Sequence, residues 1–322
     1  MNKIWYQKNT LSYLLLPFSF LYFFIIFIRK ILYQFNILKK TKIKVPVIVV
    51  GNITVGGTGK TPFVISIANA LKEAGFKPGI ITRGYRGKSL TWPIIINQHS
   101  NARLAGDEAV LIAQKTLLPV VAGPNRVEDA KKLLENFDCN LIISDDGLQH
   151  TALIRDIEIA MIDDKRGFGN GFLLPAGPLR ELSSRILSVD FVVVNNGNCD
   201  DPWRTEFMID ELINIKDVTK KLKLTDITDQ KIYAVAGIGN PDYFFNQLRG
   251  LYLEIIPIVF PDHHDFKFKD IDFEKNAIII MTEKDAVKCK PFADHRHFMA
   301  AGHAEIDKKL IDKIILKIHS GE

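Results

Sequence analysis

Between a β-branched run, Val45-Pro-Val-Ile-Val-Val50, and a helical pattern opening at Thr61 lies Gly51-Asn-Ile-Thr-Val-Gly-Gly-Thr-Gly-Lys-Thr61. A strand that feeds a glycine-rich turn and then a helix leaves few folds open. Glycines let backbone N–H groups turn inward around phosphate oxygens, and the helix N-terminus adds its partial positive charge. The cradle expected here runs through Thr54, Val55, Gly56, Gly57, Thr58, Gly59, Lys60 and Thr61. Lys60 would reach the β- and γ-phosphates, and Thr61 would offer its hydroxyl to Mg²⁺. Pro62 sits early in the helix, where its missing N–H costs least. In one respect the loop departs from GxxxxGK[ST]: the first glycine of that pattern is replaced by Thr54. The plain alternative, a glycine-rich turn without nucleotide, is weakened by Gly-Lys-Thr-Pro in this context.

A phosphate loop needs an acidic partner for the metal. Leu141-Ile-Ile-Ser-Asp145-Asp146-Gly-Leu-Gln-His150 supplies one, an apolar strand delivering two aspartates at its C-terminal end. Neighbouring carboxylates repel, so the pair argues for a cation or strong donors nearby. Around these two anchors, strand-like runs at 78–82, 119–122, 140–144, 157–162 and 191–195 alternate with helical stretches. Such alternation implies an α/β fold, a P-loop NTPase-like and mostly parallel sheet flanked by helices. Residues 196–230 lose their apolar runs, and further strands follow at 232–236, 254–259 and 277–281. The expected organisation is a kinase-like P-loop domain over 41–210 and a smaller α/β lobe over 211–322, with the boundary falling within 196–230.

Residues 1–40 are set apart by hydropathy. Asn9 through Ile28 is 20 residues without a charge, rich in Leu, Phe, Ile and Tyr. As one helix it would reach roughly 30 Å, about one hydrocarbon thickness. It is apolar all round, which argues against a buried core helix, and no small-residue cleavage site follows, which argues against a signal peptide. A membrane anchor is the expectation, bent at Pro17 or dipping into one leaflet. Lys3 and Lys8 precede it; Arg29, Lys30, Lys39, Lys40, Lys42 and Lys44 follow, which would put the body on the cytoplasmic face. Lysine plus arginine exceeds aspartate plus glutamate by 42 − 37 = 5. That suits a protein near anionic lipid or phosphate and is too small to argue for nucleic acid. Cys139, Cys199 and Cys289 have no CxxC spacing, which excludes a disulfide framework and a cysteine zinc site.

Other motifs are weaker alone. Asp107 in Gly106-Asp-Glu108 opens an apolar helix and could simply cap it. Arg83-Gly-Tyr85-Arg86 places guanidiniums on a loop after a strand, and Arg126 follows another strand. Gly177-Pro-Leu-Arg180-Glu181 is a turn carrying a charge pair. Asp262-His263-His264-Asp265 invites a zinc reading, yet two adjacent histidines rarely share one metal. Thr282-Glu-Lys-Asp285 has its lysine one place late for guanine reading, which argues against a GTPase.

Taken in order, the loop with Pro62, Arg83-Gly-Tyr85, Gly106-Asp-Glu108, Asp145-Asp-Gly-Leu-Gln-His150, Pro175-Ala-Gly-Pro-Leu-Arg-Glu181, Pro261-Asp-His263 and Met281-Thr-Glu-Lys-Asp-Ala286 resemble the tetraacyldisaccharide 4′-kinase family over nearly the whole chain. Thr54 fits that family, whose paired glycines come later. The resemblance implies an inner-membrane enzyme of Gram-negative lipid A biosynthesis, moving the ATP γ-phosphate to the 4′-hydroxyl of an acylated glucosamine disaccharide 1-phosphate. It implies ATP on Gly56–Thr61, Mg²⁺ on Thr61 with Asp145, Asp146 or both, and Asp107 with His263 taking the hydroxyl proton; His264 beside it is the competing imidazole. Arg126 would steady charge on the transferred group. Arg83, Tyr85, Gln149, His150, Arg180 and Glu181 would lie near the phosphates or the sugar. A competing reading is a membrane-associated P-loop ATPase switch or partitioning protein. Such ATPases often open with KGGxxGK[ST], where this chain has Thr54. A third reading, a non-enzymatic membrane scaffold, is opposed by the intact Lys60, Thr61 and Asp145/Asp146 set.

Overall fold

The computed structural model describes residues 2–198, 200–223, 227 and 230–320, so Cys199 lies outside the described residues. In chain order the strands are Val47–Gly51 (β1), Pro78–Thr82 (β2), Ile94–Ile96 (β3), Val120–Ala122 (β4), Leu141–Asp145 (β5), Ile157–Asp163 (β6), Phe191–Asn195 (β7), Arg204–Asn214 (β8), Lys221–Leu222 (β9), Ile232–Ala236 (β10), Ile255–Val259 (β11), Ile278–Thr282 (β12) and His297–Ile306 (β13). The helices are Asn2–Tyr6 (α1), Thr10–Leu14 (α2), Leu16–Gln34 (α3), Lys60–Glu73 (α4), Ala102–Ala105 (α5), Asp107–Thr116 (α6), Arg126–Asn136 (α7), Pro241–Gly250 (α8), Phe268–Ile271 (α9), Glu283–Cys289 (α10) and Lys308–Ser320 (α11).

Among the described residues the strands form one sheet, ordered β11-β10-β12-β13-β8-β7-β6-β1-β5-β2-β4-β3, with β9 on β8. Every residue of β1, β2 and β5 is buried. These are the uninterrupted apolar runs a parallel sheet covered on both faces requires. β1 pairs in parallel with β5 and β6, and β10 in parallel with β11 and β12. The two parallel halves are joined by β8 and β13, which run antiparallel with a register shift at Ala301/Gly302. Gly302 is required there, because a Cβ would lie 2.0 Å from the Met208 carbonyl oxygen. A bulge bends and twists its strand. Across this pair the strands of the two halves run opposite ways, yet the C-terminal ends of β1, β2, β5, β10 and β12 border one cleft. The sheet must fold over to bring them face to face.

β8 occupies the stretch whose sequence reads as a polar connection. Its burial alternates, because one face meets the core and the other does not; a strand of mixed Glu, Asp and Met lacks the apolar run that marks its neighbours. α11 crosses back: its Leu310 and Ile314 are wholly buried in the cluster formed by Phe63, Val64 and Ile67 of α4 with residues of α6 and β1.

The single helix expected over residues 9–28 is two, α2 and α3, with the short α1 ahead of them. Asn9 caps α2 by accepting from Ser12 N at 2.9 Å, and Leu15 separates α2 from α3. Pro17 does not bend a continuing helix; it stands in the first turn of α3, where its ring is tolerated. α3 is the one helix among the described residues long and apolar enough to cross a membrane. It lies along the body. Tyr22, Phe23 and Ile26 pack on the cluster under β1 and β5, while Phe18, Phe20, Leu21, Phe24, Ile25 and Ile28 face outward.

Candidate active site at the strand-end cleft

The cleft holds about 410 Å³, and its walls include Val55–Pro62 on one side and Ile238–Asn240, His263 and Thr282–Lys284 on the other. The phosphate loop is shaped by its glycines. Gly59 caps α4 with φ +80, and a Cβ on it would come within 2.8 Å of the Asn195 side chain. Thr58 is buried, with its hydroxyl among the side-chain atoms that find no partner. Lys60 Nζ donates to Asn52 Oδ1 at 3.1 Å and lies 3.5 Å from Asp146 Oδ1. Thr54 does not line the cleft; it is buried and bridges to Leu179, which accounts for a side chain where the general pattern has glycine.

The two aspartates at the end of β5 have different surroundings. Asp145 is 2% exposed; Thr82 Oγ1 donates to its Oδ2 at 3.3 Å and its Oδ1 has no partner. Burial, then the nearby Glu108 and Asp146 charges, push its carboxyl up to about 7. Asp146 adopts φ +50 and lies 3.2 Å from Arg180 Nη1 through both oxygens. Burial would raise it, but Lys60 and Arg180 outweigh burial and hold it well below the usual carboxylate range. One carboxylate is therefore already neutralised by cations and the other is left with an open oxygen. That asymmetry fits a divalent cation on Asp145. Among the described residues no group of three His, Cys, Asp or Glu is poised as a metal cage. Mg²⁺ commonly uses one or two carboxylates and takes its remaining ligands from phosphate and water, so the donor set suffices.

Opposite stands a second charged cluster. Asp107 opens α6, where Glu108 N donates to its Oδ1 at 3.0 Å, and His263 Nδ1 lies 3.2 Å from its Oδ2. Burial favours the protonated form, but the His263 hydrogen bond and the Lys284 and Lys288 charges outweigh it and bring the carboxyl down to about 2. His263 adopts φ +59, its backbone carbonyl accepts from Arg86 at 2.9 Å, and its ring packs 4.9 Å from that of Tyr85. Lys284 Nζ lies 3.1 Å from His263 Nε2 and 3.0 Å from Glu108 Oε1. An ammonium has no lone pair, so Nε2 accepts from it and Nδ1 carries the proton donated to Asp107. His264 turns away, 3.0 Å from Asp270 and stacked on Phe260. The choice between the two imidazoles is thus geometric: His263 faces Asp107.

The cleft gathers Lys60, Thr61, Asp145, Asp146, Arg83, Tyr85, Arg180 and His263 at its wall. Asp107 stands directly behind His263. Arg126 is elsewhere: 2% exposed, it donates to Gly123 O at 2.7 Å, Asp129 at 3.2 Å and Asp145 O at 3.0 Å. Gln149 bonds Glu181 Oε1 at 2.7 Å and Asn52 O at 3.0 Å, outside the cleft wall. His150 is also set back; burial and the Arg126 charge lower its imidazole to about 4. Sequence reasoning passed over Glu108 and Lys284 as individuals, although both lie inside quoted motifs. The signal available was charge: a glutamate and a lysine in segments otherwise committed to capping.

A family model described as tetraacyldisaccharide-1-P 4′-kinase matches residues 11–319. The chain belongs to that family. It is 45% identical to the tetraacyldisaccharide 4′-kinase of Methylobacillus flagellatus over 320 residues, 99% of this chain and 95% of that one. Its identity to the enzyme of the same name from Coxiella burnetii is also 45%, covering 98% of this chain and 96% of the other. A crystal structure of LpxK from Aquifex aeolicus in complex with ATP superposes with a TM-score of 0.81 at 31% identity, covering 96% of this chain and 99% of that one. The family is one of kinases, and the cleft between the phosphate loop and the Asp107–His263 pair is its candidate active site.

Proposed function

We propose that this chain transfers the γ-phosphate of ATP to the 4′-hydroxyl of a tetraacylated glucosamine disaccharide 1-phosphate, forming lipid IVA in lipid A biosynthesis. The observation that carries the reading is a histidine on the wall of the phosphate-loop cleft, backed by a buried aspartate. A switch ATPase has no use for a second proton-handling centre there.

An alcohol is a weak nucleophile at neutral pH, so a positioned acceptor for its proton should help. His263 and Asp107 form that acceptor once the hydroxyl takes the place of Lys284 at Nε2: the carboxylate holds the imidazole through Nδ1–H and stabilises positive charge on the ring. Lys60 and the backbone of 56–61 hold the β- and γ-phosphates in line with the hydroxyl. Thr61 and Asp145 would hold Mg²⁺, which when bound would neutralise charge on the phosphates. Asp146 orders Lys60 and Arg180, and Arg126 lends its charge from behind Asp145. Arg83 and Tyr85 face the acceptor sugar; Gln149, itself bonded to Glu181, supports Arg180.

An acylated acceptor stays in the bilayer, at about 0.8 kcal/mol per buried CH₂, so the enzyme works at that surface. Helix α3 lies in one leaflet of the inner membrane with the body on the cytoplasmic side. Its inner face is bonded to the body at Ser19, Tyr22 and Arg29, a hold that a helix crossing the bilayer would lose. The catalytic body comprises a P-loop lobe, roughly 41–210, and a smaller lobe, 211–322, closing over it.

The test supplies γ-labelled ATP and membrane lipid extract. Label in a glycolipid supports the kinase; free phosphate alone supports the switch. Lys60→Ala should abolish transfer while leaving the fold intact, and unchanged turnover would remove the phosphate loop from the mechanism.

A further inference from the structure

Helix α3 reaches the phosphate site through hydrogen bonds that anchoring alone does not require. Ser19, 5% exposed, donates to Leu173 O at 2.8 Å and accepts from Ala176 N at 3.1 Å. One turn on, Tyr22 OH donates to Arg180 O at 3.0 Å. The segment held this way, residues 173–180, is tied on its other side to the phosphate loop. Val55 N donates to Pro178 O at 2.8 Å, and Arg180 N to Ile53 O at 2.7 Å. Arg180 then extends its guanidinium to both Asp146 oxygens and, at 3.3 Å, to Gln149 Oε1. A second thread starts at Arg29, which donates to Gln149 O at 3.1 Å. Gln149 bonds Asn52 O, and Asn52 Oδ1 accepts from Lys60. Both threads end on the pair Lys60–Asp146.

We infer that Ser19 and Tyr22 of the membrane helix are positioning residues for phosphoryl transfer: through segment 173–180 they fix the place from which Arg180 holds Asp146. This rests on the kinase reading above. The outer face of α3 is apolar, so lipid alone would orient the helix only weakly about its axis. A hydroxyl turned into hydrocarbon is left without a partner, at a cost of several kcal/mol in the limit. Ser19 and Tyr22 both find their partners only on the body. Immersion in the bilayer therefore favours the seated rotation of the helix, and the seated rotation aligns Arg180.

The test uses the full-length chain with lipid acceptor in vesicles, reading kcat, the KM values and sedimentation with the vesicles. Tyr22→Phe removes one neutral hydrogen bond and should lower kcat about fivefold, with vesicle binding and the lipid KM unchanged. In an Arg180→Met background the same substitution should have no further effect, because the guanidinium it positions is gone. Ser19→Ala is the second variant and should repeat the pattern. The inference is overturned if both variants keep wild-type kcat, if their losses multiply with that of Arg180→Met, or if only sedimentation falls. Failure of the kinase reading looks different: the unaltered chain would then label no lipid.

Discussion

At Asp107 fold stability and the proposed chemistry meet in a single side chain. Its carboxyl is held at about 2 against an ordinary 3.8. A lowered acid stabilises the fold at pH values above its ordinary titration, and that contribution fades as pH falls through the folded value. Here it is full above about pH 4 and lost toward pH 2. The shift corresponds to about 2 kcal/mol. Asp107→Asn should thus lower Tm at pH 7, and the difference from the parent should shrink on acidification through that window. It should also cut transfer by about a hundredfold or more while ATP affinity stays close to wild type. A Tm loss with undiminished transfer would leave Asp107 a purely structural residue in the first turn of α6, whose N-cap is Gly106. The sequence marked this residue as either a cap or a base, and could not separate the two, because both uses place an acidic group at a helix start. Arg126 is the contrasting case. A guanidinium after a strand reads as a phosphate ligand, but whether it points outward depends on Asp129 one turn later and on the Asp145 carbonyl, and burial of that kind leaves no trace in local spacing.

At the scale of elements, the strands carried by β-branched runs were legible almost to the residue. Pro78–Thr82, Phe191–Asn195 and Ile232–Ala236 fall where their apolar runs predict. β8 was not, because an alternating strand at a seam looks polar. α3 illustrates what hydropathy conveys and what it conceals. Its composition announced lipid, yet it contains a polar stripe, Ser19, Tyr22 and Arg29, that only the body explains. The outer stripe should carry membrane affinity by itself. Phe20, Phe24 and Ile28 are 64%, 54% and 52% exposed, and each transfer of such a side chain out of water is worth about 1.5–3 kcal/mol. Replacing all three by Ser should weaken vesicle binding by at least about a hundredfold, measured by sedimentation against lipid concentration. ATP binding should not change, since none of the three lies in the cleft wall. If ATP affinity fell in parallel, the outer stripe would be supporting the body as well.

The whole molecule is held together in a way that the linear order of its motifs does not suggest. Motifs read from Gly51 to Asp285 suggest one lobe following another, and the cleft does draw its walls from both halves. The connection is closer than succession. β8 and β13 make the sheet continuous, Lys115 of α6 bonds Glu283 at 2.7 Å and Gly302 O at 3.0 Å, and α11 returns to cover the core beneath the phosphate loop. Leu310 and Ile314 are 0% exposed there. Large-to-small changes at such sites cost about 2–5 kcal/mol each, a sizeable part of a typical domain's stability. Leu310→Ala with Ile314→Ala, some 250 residues from Lys60 in sequence, should therefore lower Tm sharply and weaken ATP binding together, because α4 begins at Lys60 and rests on those side chains. Differential scanning calorimetry with and without ATP measures both. A first half that kept its ATP affinity while only the end of the chain unfolded would show that the first half closes its own core, and that the last helix is merely laid upon it.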